Sequence, residues 1–425
     1  MANARPAPRT PIRFAFSTVD PAVSQTIIPI DASDGASSSG VLYEPPGERP
    51  DVCVYLMHPR GEFSRHYLAP GLTDRGIAVF GHNSRYLNND TDMVHERLLL
   101  DIAAGNRALR DRGYRHIVLI GNSGGGSLLA YYQAQAELEA YARVTQSPGG
   151  DPIDLAHEEM PQGDCFIGLA AHPGEGRFML NVLDPSLTDE ADPTSYDPAL
   201  DMYHPDNGYR PWPEPSHYDS GWLSAYREAQ RARSLRIDGR ARGFIEERHA
   251  HRAIESGDMA GLSVEEQLRV RRAAHLHRYL LVYRTLANPW YLDLAIDPSP
   301  RAMGSIFAPA DPFLGNYGPG GLARVMTPRA WLSTWSGTAS HADLETTIAG
   351  VTIPTLIIYP DADTDILPSE QQRIFAASAA TDRTLVPLEG SDHYLLAAPS
   401  DSNESAPPRE RVIEILLPWI RERLS

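Results

Sequence analysis

The 425-residue chain contains no lysine, so all 38 of its basic residues are arginine. That excludes a lysine nucleophile, a Schiff base, pyridoxal chemistry and a P-loop lysine. Cysteine is nearly absent as well. The only two are Cys53, in Val-Cys-Val-Tyr-Leu-Met, and Cys165, in Cys-Phe-Ile-Gly-Leu-Ala. Two thiols in apolar runs exclude a disulfide scaffold and a cysteine-rich zinc or iron–sulfur site, and read as buried strand residues. Positive charge is in deficit, with 38 basic against 55 acidic residues and a net charge of −17. A nucleic-acid partner needs a basic face, and an anionic membrane surface attracts one. Neither partner is expected. No stretch reaches the roughly 18 consecutive apolar residues of a membrane-spanning helix. The opening Met-Ala-Asn-Ala-Arg-Pro-Ala-Pro-Arg lacks the apolar segment of a signal peptide. A soluble cytoplasmic protein is expected, with a small molecule as its partner and a homo-oligomer left open.

With about 150 residues per domain as a guide, the length allows two or three units or one domain with a large insertion. No internal repeat is present. Residues 1–11 read as a Pro/Arg-rich arm, and 12–19, 24–31 and the vicinity of 41–43 as strands. Residues 51–57 are continuously apolar, as in a strand buried on both faces. Strand and helix signals then alternate: helix 63–75, strand 77–81, helix 92–112, strand 116–120, helix 124–142 and strand 165–171. This rhythm predicts an α/β fold with a mostly parallel sheet flanked by helices. It stops across 173–348, where Pro, Tyr, Trp and Arg are frequent and helices are predicted near 220–247 and 264–287. The second of these opens on a Ser263/Glu266 capping box. The rhythm resumes with strand 355–359, a helix capped at Ser369, strand 384–388 and helix 408–423. One core of 12–172 and 349–425, interrupted by a helical cap or lid at 173–348, accounts for the pattern.

The chemistry concentrates in His116-Ile117-Val118-Leu119-Ile120-Gly121-Asn122-Ser123-Gly124-Gly125. This is a buried strand, then Gly-x-Ser-x-Gly, then a small-residue helix start. A serine on such a sharp turn is held with its hydroxyl exposed above the sheet, and the Gly124 N–H points where an oxyanion would form. A serine needs a base, and the base needs an orienting carboxylate. Gly390-Ser391-Asp392-His393 follows a strand and offers His393. Tyr359-Pro360-Asp361-Ala362-Asp363-Thr364-Asp365 follows another and offers three carboxylates.

The order Ser, Asp, His on this sheet resembles the α/β-hydrolase fold superfamily over roughly 24–172 and 349–425, and the likeness fails across the insert. The resemblance implies Ser123 as nucleophile, His393 as base and Asp363 as orienter, with Asp365 the alternative acid and Glu175 a more remote one. It places the second oxyanion donor in Met57-His58-Pro59-Arg60-Gly61. There the usual His-Gly becomes His58-Pro59, so the Arg60 N–H would serve. It also sets the cysteine-bearing strands either side of 116–120, roughly 10 Å apart and beyond disulfide reach.

His58, Arg60, His82, Asn83, Arg85 and Tyr86 fall near the expected pocket mouth. His58 and Arg85 are candidate substrate contacts, an arginine there suiting a substrate carboxylate. Five of the six tryptophans lie in the insert. Of these, Trp212 and Trp222 are expected to line a pocket for an apolar or aromatic group. His341 reads as structural, and the Arg227–Arg242 run as a solvated or ion-paired helix face. No metal site and no cofactor are expected. The reading is a capped serine hydrolase, carboxylesterase-like, acting through an acyl-enzyme. A carbon–carbon bond hydrolase of diketone-type substrates and a triad-bearing binding or receptor protein are the alternatives.

Overall fold

A computed structural model describes residues 18–308, 311–319, 321–400 and 406–424. The arm 1–11 and residues 12–17 of the expected strand 12–19 lie outside the described residues, and 18–19 are not in a strand.

The sheet contains β1 (Ser24–Asp31), β2 (Ser37–Glu44), β3 (Val52–His58), β4 (Ala78–Asn83), β5 (His116–Asn122), β6 (Cys165–Leu169), β7 (Thr355–Pro360) and β8 (Arg383–Leu388). Their spatial order is β1-β2-β4-β3-β5-β6-β7-β8. β1 and β2 run antiparallel to each other, and β2 antiparallel to β4; every later pairing is parallel. The central strands β3, β5 and β6 are apolar at nearly every position because helices cover both faces, and Val54, Tyr55, Ile120 and Phe166 are fully buried. Cys53 pairs in register with Ile117, and Val118 with Cys165. β5 therefore separates the two thiols, and both are free and buried.

The flanking helices are α1 (Ala69–Thr73), α2 (His95–Asp111), α3 (Gly124–Glu137), α7 (Pro368–Ala377) and α8 (Pro408–Leu424). α2 buries Leu98, Ile102 and Leu109 from one periodic stripe. α1 is much shorter than the helix expected over 63–75, and the loop before it is held by Asn83 Oδ1, which accepts the Phe63 and Ser64 N–H groups at 2.7 and 3.1 Å. α7 begins two residues earlier than the Ser369 cap predicts. Pro368 sets its first turn, and the Glu370 carboxylate accepts the Leu367 N–H at 3.1 Å.

The insertion is mainly helical, built on α4 (Glu175–Val182), α5 (Ser220–Ser256) and α6 (Val264–His275). The Ser263/Glu266 capping box forms as predicted. α6 stops at His275, however, well short of 287. Leu276 turns to extended backbone, and Leu280 and Leu281 pair antiparallel with Met326 and Val325. An apolar spacing that fits a helix also fits this short strand. α5 is polar around most of its surface. Arg233, inside its arginine run, is fully buried and forks onto Glu190 at 2.8 and 2.9 Å.

Tyr55, Phe80 and Leu119 of the sheet share one apolar cluster with Phe178, Tyr291, Trp331 and Trp335 of the insertion. The opposite face is covered by α1 and α8 through Leu72, Val412, Ile413 and Leu416. The result is an α/β-hydrolase-like fold with a mainly helical insertion that shares an apolar cluster with one face of the sheet.

Candidate active site

β5 ends in Gly121-Asn122, and the chain turns at once into α3. Ser123 at the turn has φ 53° and ψ −124°, a strained conformation for a residue with a side chain. The strain is held by close packing. A Cβ on Gly125 would stand 2.3 Å from the Met57 carbonyl oxygen of β3. The Ser123 N–H is tied to the Leu169 carbonyl at 3.1 Å. Gly124 opens α3, so its N–H is one of the first-turn amides with no intrahelical acceptor.

Three loops at the carboxyl ends of β5, β7 and β8 meet here. Ser123 Oγ lies 3.0 Å from His393 Nε2, and His393 Nδ1 lies 2.7 Å from Asp363 Oδ2. Asp363 and His393 are both buried. The second carboxylate oxygen, Asp363 Oδ1, accepts the N–H groups of Asp365 and Ile366 at 2.9 and 3.2 Å. Burial opposes charge on the His393 ring, but the Asp363 carboxylate outweighs it, helped by Asp365 and Asp392. The ring's pKa is therefore raised above its ordinary 6.5.

The other two aspartates of the loop have different partners. Asp361 accepts the Gly390 N–H at 2.8 Å. Asp365 accepts Tyr291 Oη–H at 2.8 Å, Ser305 Oγ–H at 2.7 Å and the Ile306 N–H at 2.8 Å. It fastens the insertion to the core.

Glu175 is not at His393 Nδ1. It is buried against Gly124. A Cβ on Gly124 would meet Glu175 Oε1, His58 Nε2 and His172 Nε2 at 2.6, 2.8 and 2.9 Å, so only glycine fits. His95 Nε2 lies 3.6 Å from one Glu175 oxygen and His172 Nε2 3.8 Å from the other. Burial would raise the Glu175 pKa, but His172, His95 and His58 together hold it below its ordinary value. Burial pushes His58 down to about 3 and His172 to about 4, so both rings are neutral. Their Nδ1 atoms accept backbone N–H groups, from Gly61 at 2.9 Å and Gly174 at 3.0 Å. Each ring therefore carries its proton on Nε2, facing the carboxylate. His172-Pro173-Gly174-Glu175 at a strand's end signals half of this cluster. His95, alone on α2, gives no sequence signal.

Arg60 differs from the expectation in detail. Its N–H is engaged by His58 Nδ1 at 3.2 Å, because Pro59 folds the loop back over that ring. Its guanidinium lies over the buried Trp335 ring at 5.2 Å.

Two expectations are corrected. Arg85 is not available to a substrate. It is paired with Asp101 at 2.6 Å and with Asp34, and also donates to Asp101 through Nε at 2.8 Å. Trp212 and Trp222 pack wholly within the insertion, in a satellite cluster with Met202, Tyr203, Tyr218 and Tyr226. Trp222 stacks on Tyr218 at 5.0 Å and donates to the Ala199 carbonyl. A high aromatic count signals a second small core, not a pocket lining. His82, between Tyr55 Oη at 2.6 Å and Ser38 Oγ at 2.8 Å, is likewise a structural residue. His341 sits 3.1 Å from Glu96. None of the described helices is long and apolar enough to cross a membrane.

No protein-family model matches the chain, and no curated protein sequence matches it. Solved structures do resemble it. A structure of DcsB in complex with its substrate analogue aligns over 95% of this chain and 100% of that one, at 13% identity and a TM-score of 0.49. The α/β hydrolase GrgF from Penicillium sp. sh18 aligns over 94% and 99%, at 13% identity and a TM-score of 0.47. The esterase domain of a Rhodothermus marinus protein aligns over 94% and 98%, at 12% identity and a TM-score of 0.43.

Proposed function

We propose that the chain is a serine hydrolase that cleaves a carboxylic ester or a related acyl bond through an acyl-enzyme. One observation carries this reading: Ser123 Oγ, His393 Nε2, His393 Nδ1 and Asp363 Oδ2 lie in one hydrogen-bonded line, at 3.0 and 2.7 Å. Ser123 attacks the acyl carbon while its proton passes to His393 Nε2. Asp363 keeps the other ring nitrogen protonated and stabilises the imidazolium. The Gly124 N–H binds the oxyanion, and the Arg60 N–H is the second donor. The Gly61 N–H already holds His58 Nδ1, so turning the Arg60 amide to the oxyanion gives up only one long hydrogen bond. Collapse breaks the bond to the leaving group, which takes the proton from His393. Water then attacks the acyl-enzyme with His393 again as base, releasing the acid and restoring the Ser123 hydroxyl.

The expectation of an apolar or aromatic substrate rested on the five tryptophans of the insert, with Trp212 and Trp222 as the lining residues, and is not carried forward. The test is a panel of esters, amides and diketones assayed on purified protein beside Ser123→Ala. Ester turnover that vanishes in the variant is expected. Turnover of vinylogous diketones alone, or of no substrate, would refute the acyl-transfer reading.

A further inference from the structure

Among the described residues the buried arginines are, as a rule, satisfied. Among the described residues, Arg60, Arg301 and Arg324 each have an Nε sealed from solvent without a partner. Two of them place terminal nitrogens on backbone carbonyls. Arg301 donates to Asp297 at 2.7 Å and Arg324 to Gly315 at 3.3 Å. The Arg60 guanidinium has no hydrogen-bond acceptor and no carboxylate partner among the described residues. What it has is the face of Trp335, itself fully buried. That contact engages a face of the guanidinium and leaves its terminal N–H donors uncommitted.

The position of this cation is informative. Arg60 belongs to the loop that follows β3 and packs on the Ser123 turn. Its charge acts on His58, His172 and Tyr394. His58 Nε2 closes on Gly124, the His172 N–H is 3.3 Å from the Ser123 carbonyl, and the Tyr394 ring contacts His393 at 5.2 Å. The free guanidinium thus stands among groups that each touch the nucleophile turn or the base. Glu175, the nearby buried carboxylate, does not pair with it; its ionic neighbours are His95 and His172. Arg85, the other arginine expected near the pocket, is consumed by Asp34 and Asp101.

We propose that the substrate bears a free carboxylate in addition to the scissile acyl bond, and that the guanidinium of Arg60, seated over Trp335, binds it beside Ser123. This rests on the serine-hydrolase reading and narrows its substrate to monoesters of dicarboxylic acids or esters of hydroxy acids. The planar fork of a guanidinium suits two parallel N–H···O bonds to a carboxylate.

The test compares matched esters. With the charge on the acyl side, mono-p-nitrophenyl glutarate is set against p-nitrophenyl butyrate. With the charge on the leaving side, 4-butyryloxybenzoate is set against phenyl butyrate. In one of the two arms the wild-type protein should favour the anion in kcat/KM by on the order of 10- to 100-fold, the range of a charge-assisted hydrogen-bonded contact. Arg60→Gln should abolish that ratio, and Arg60→Lys should restore part of it. No anion preference in either arm, or a preference that survives Arg60→Gln, overturns the proposal. Glutarate and 4-hydroxybenzoate binding by calorimetry reads Arg60 without turnover. If no ester is cleaved, binding of either that weakens at least tenfold in Arg60→Gln sustains the carboxylate site while the hydrolase reading falls. Binding of neither, or binding indifferent to Arg60, overturns the site. Fluorophosphonate labelling of Ser123 in each variant reports an intact nucleophile.

Discussion

Replacing Asp363 by Asn separates a tuned imidazole from a merely adjacent one. Asp363 Oδ1 accepts two backbone N–H groups, and Oδ2 accepts His393 Nδ1–H at 2.7 Å. In Asp363→Asn the amide oxygen stays with the backbone donors, so the NH2 group must face His393. The ring can meet it only by presenting Nδ1 as an acceptor, which moves its proton to Nε2. Nε2 then cannot receive the Ser123 proton. The loss expected for this tautomer error is about 10⁴ in kcat, or about 5.5 kcal/mol of transition-state stabilisation. The fold should persist, because amide and carboxylate have the same shape and the backbone bonds remain. Asp365→Asn makes the contrast. Its carboxylate holds Tyr291, Ser305 and the Ile306 N–H, and an amide there leaves one buried donor facing another. That costs about 1–3 kcal/mol of stability while His393 keeps its partner. The assay is ester turnover per folded molecule, with urea unfolding of each variant. A near-normal Asp363→Asn, or an inactive Asp365→Asn of wild-type stability, would refute the assignment.

Further outcomes follow from the same contacts. His393 must be neutral to accept a proton and its pKa is raised, so kcat/KM should be lost as pH falls through a midpoint above 6.5, read from a pH–rate profile. Arg85→Ala strands the buried Asp101 carboxylate, so unfolding measurements should show a loss of about 3–5 kcal/mol with KM unchanged. Gly125→Ala drives a Cβ to 2.3 Å from the Met57 carbonyl and should destabilise by at least the ~1–3 kcal/mol of an overpacked core, measured by denaturant titration. Trp222→Ala should lower stability by less than the roughly 3–5 kcal/mol of a core tryptophan and leave the ranking of ester substrates by acyl size unchanged.

The sheet was legible because its central strands are buried on both faces and so read as continuous apolar runs. Ser123 was legible because a glycine-flanked serine after such a run has few other uses. Asp363 and Asp365 looked alike, since both follow a buried strand. What separates them is Tyr291, Ser305 and Ile306, which the insertion brings to Asp365 from 74, 60 and 59 positions away. The overlong helix from 264 has a similar origin. Leu280 keeps helical spacing with Leu276, yet it pairs with Met326 in a two-residue ladder. The tryptophans reported their type but not their placement. His172 and Glu175 are close in sequence, but His95 joins them only when α2 and α4 meet at Gly124, a tertiary event with no local signature.

The most direct test of the central claim is covalent labelling. The protein is treated with a small fluorophosphonate, the modified residue is mapped by peptide mass spectrometry, and ester turnover is followed in the same sample. Stoichiometric modification at Ser123, with turnover lost in proportion, is the predicted result. Modification at another serine, or turnover that survives complete labelling of Ser123, would contradict the account.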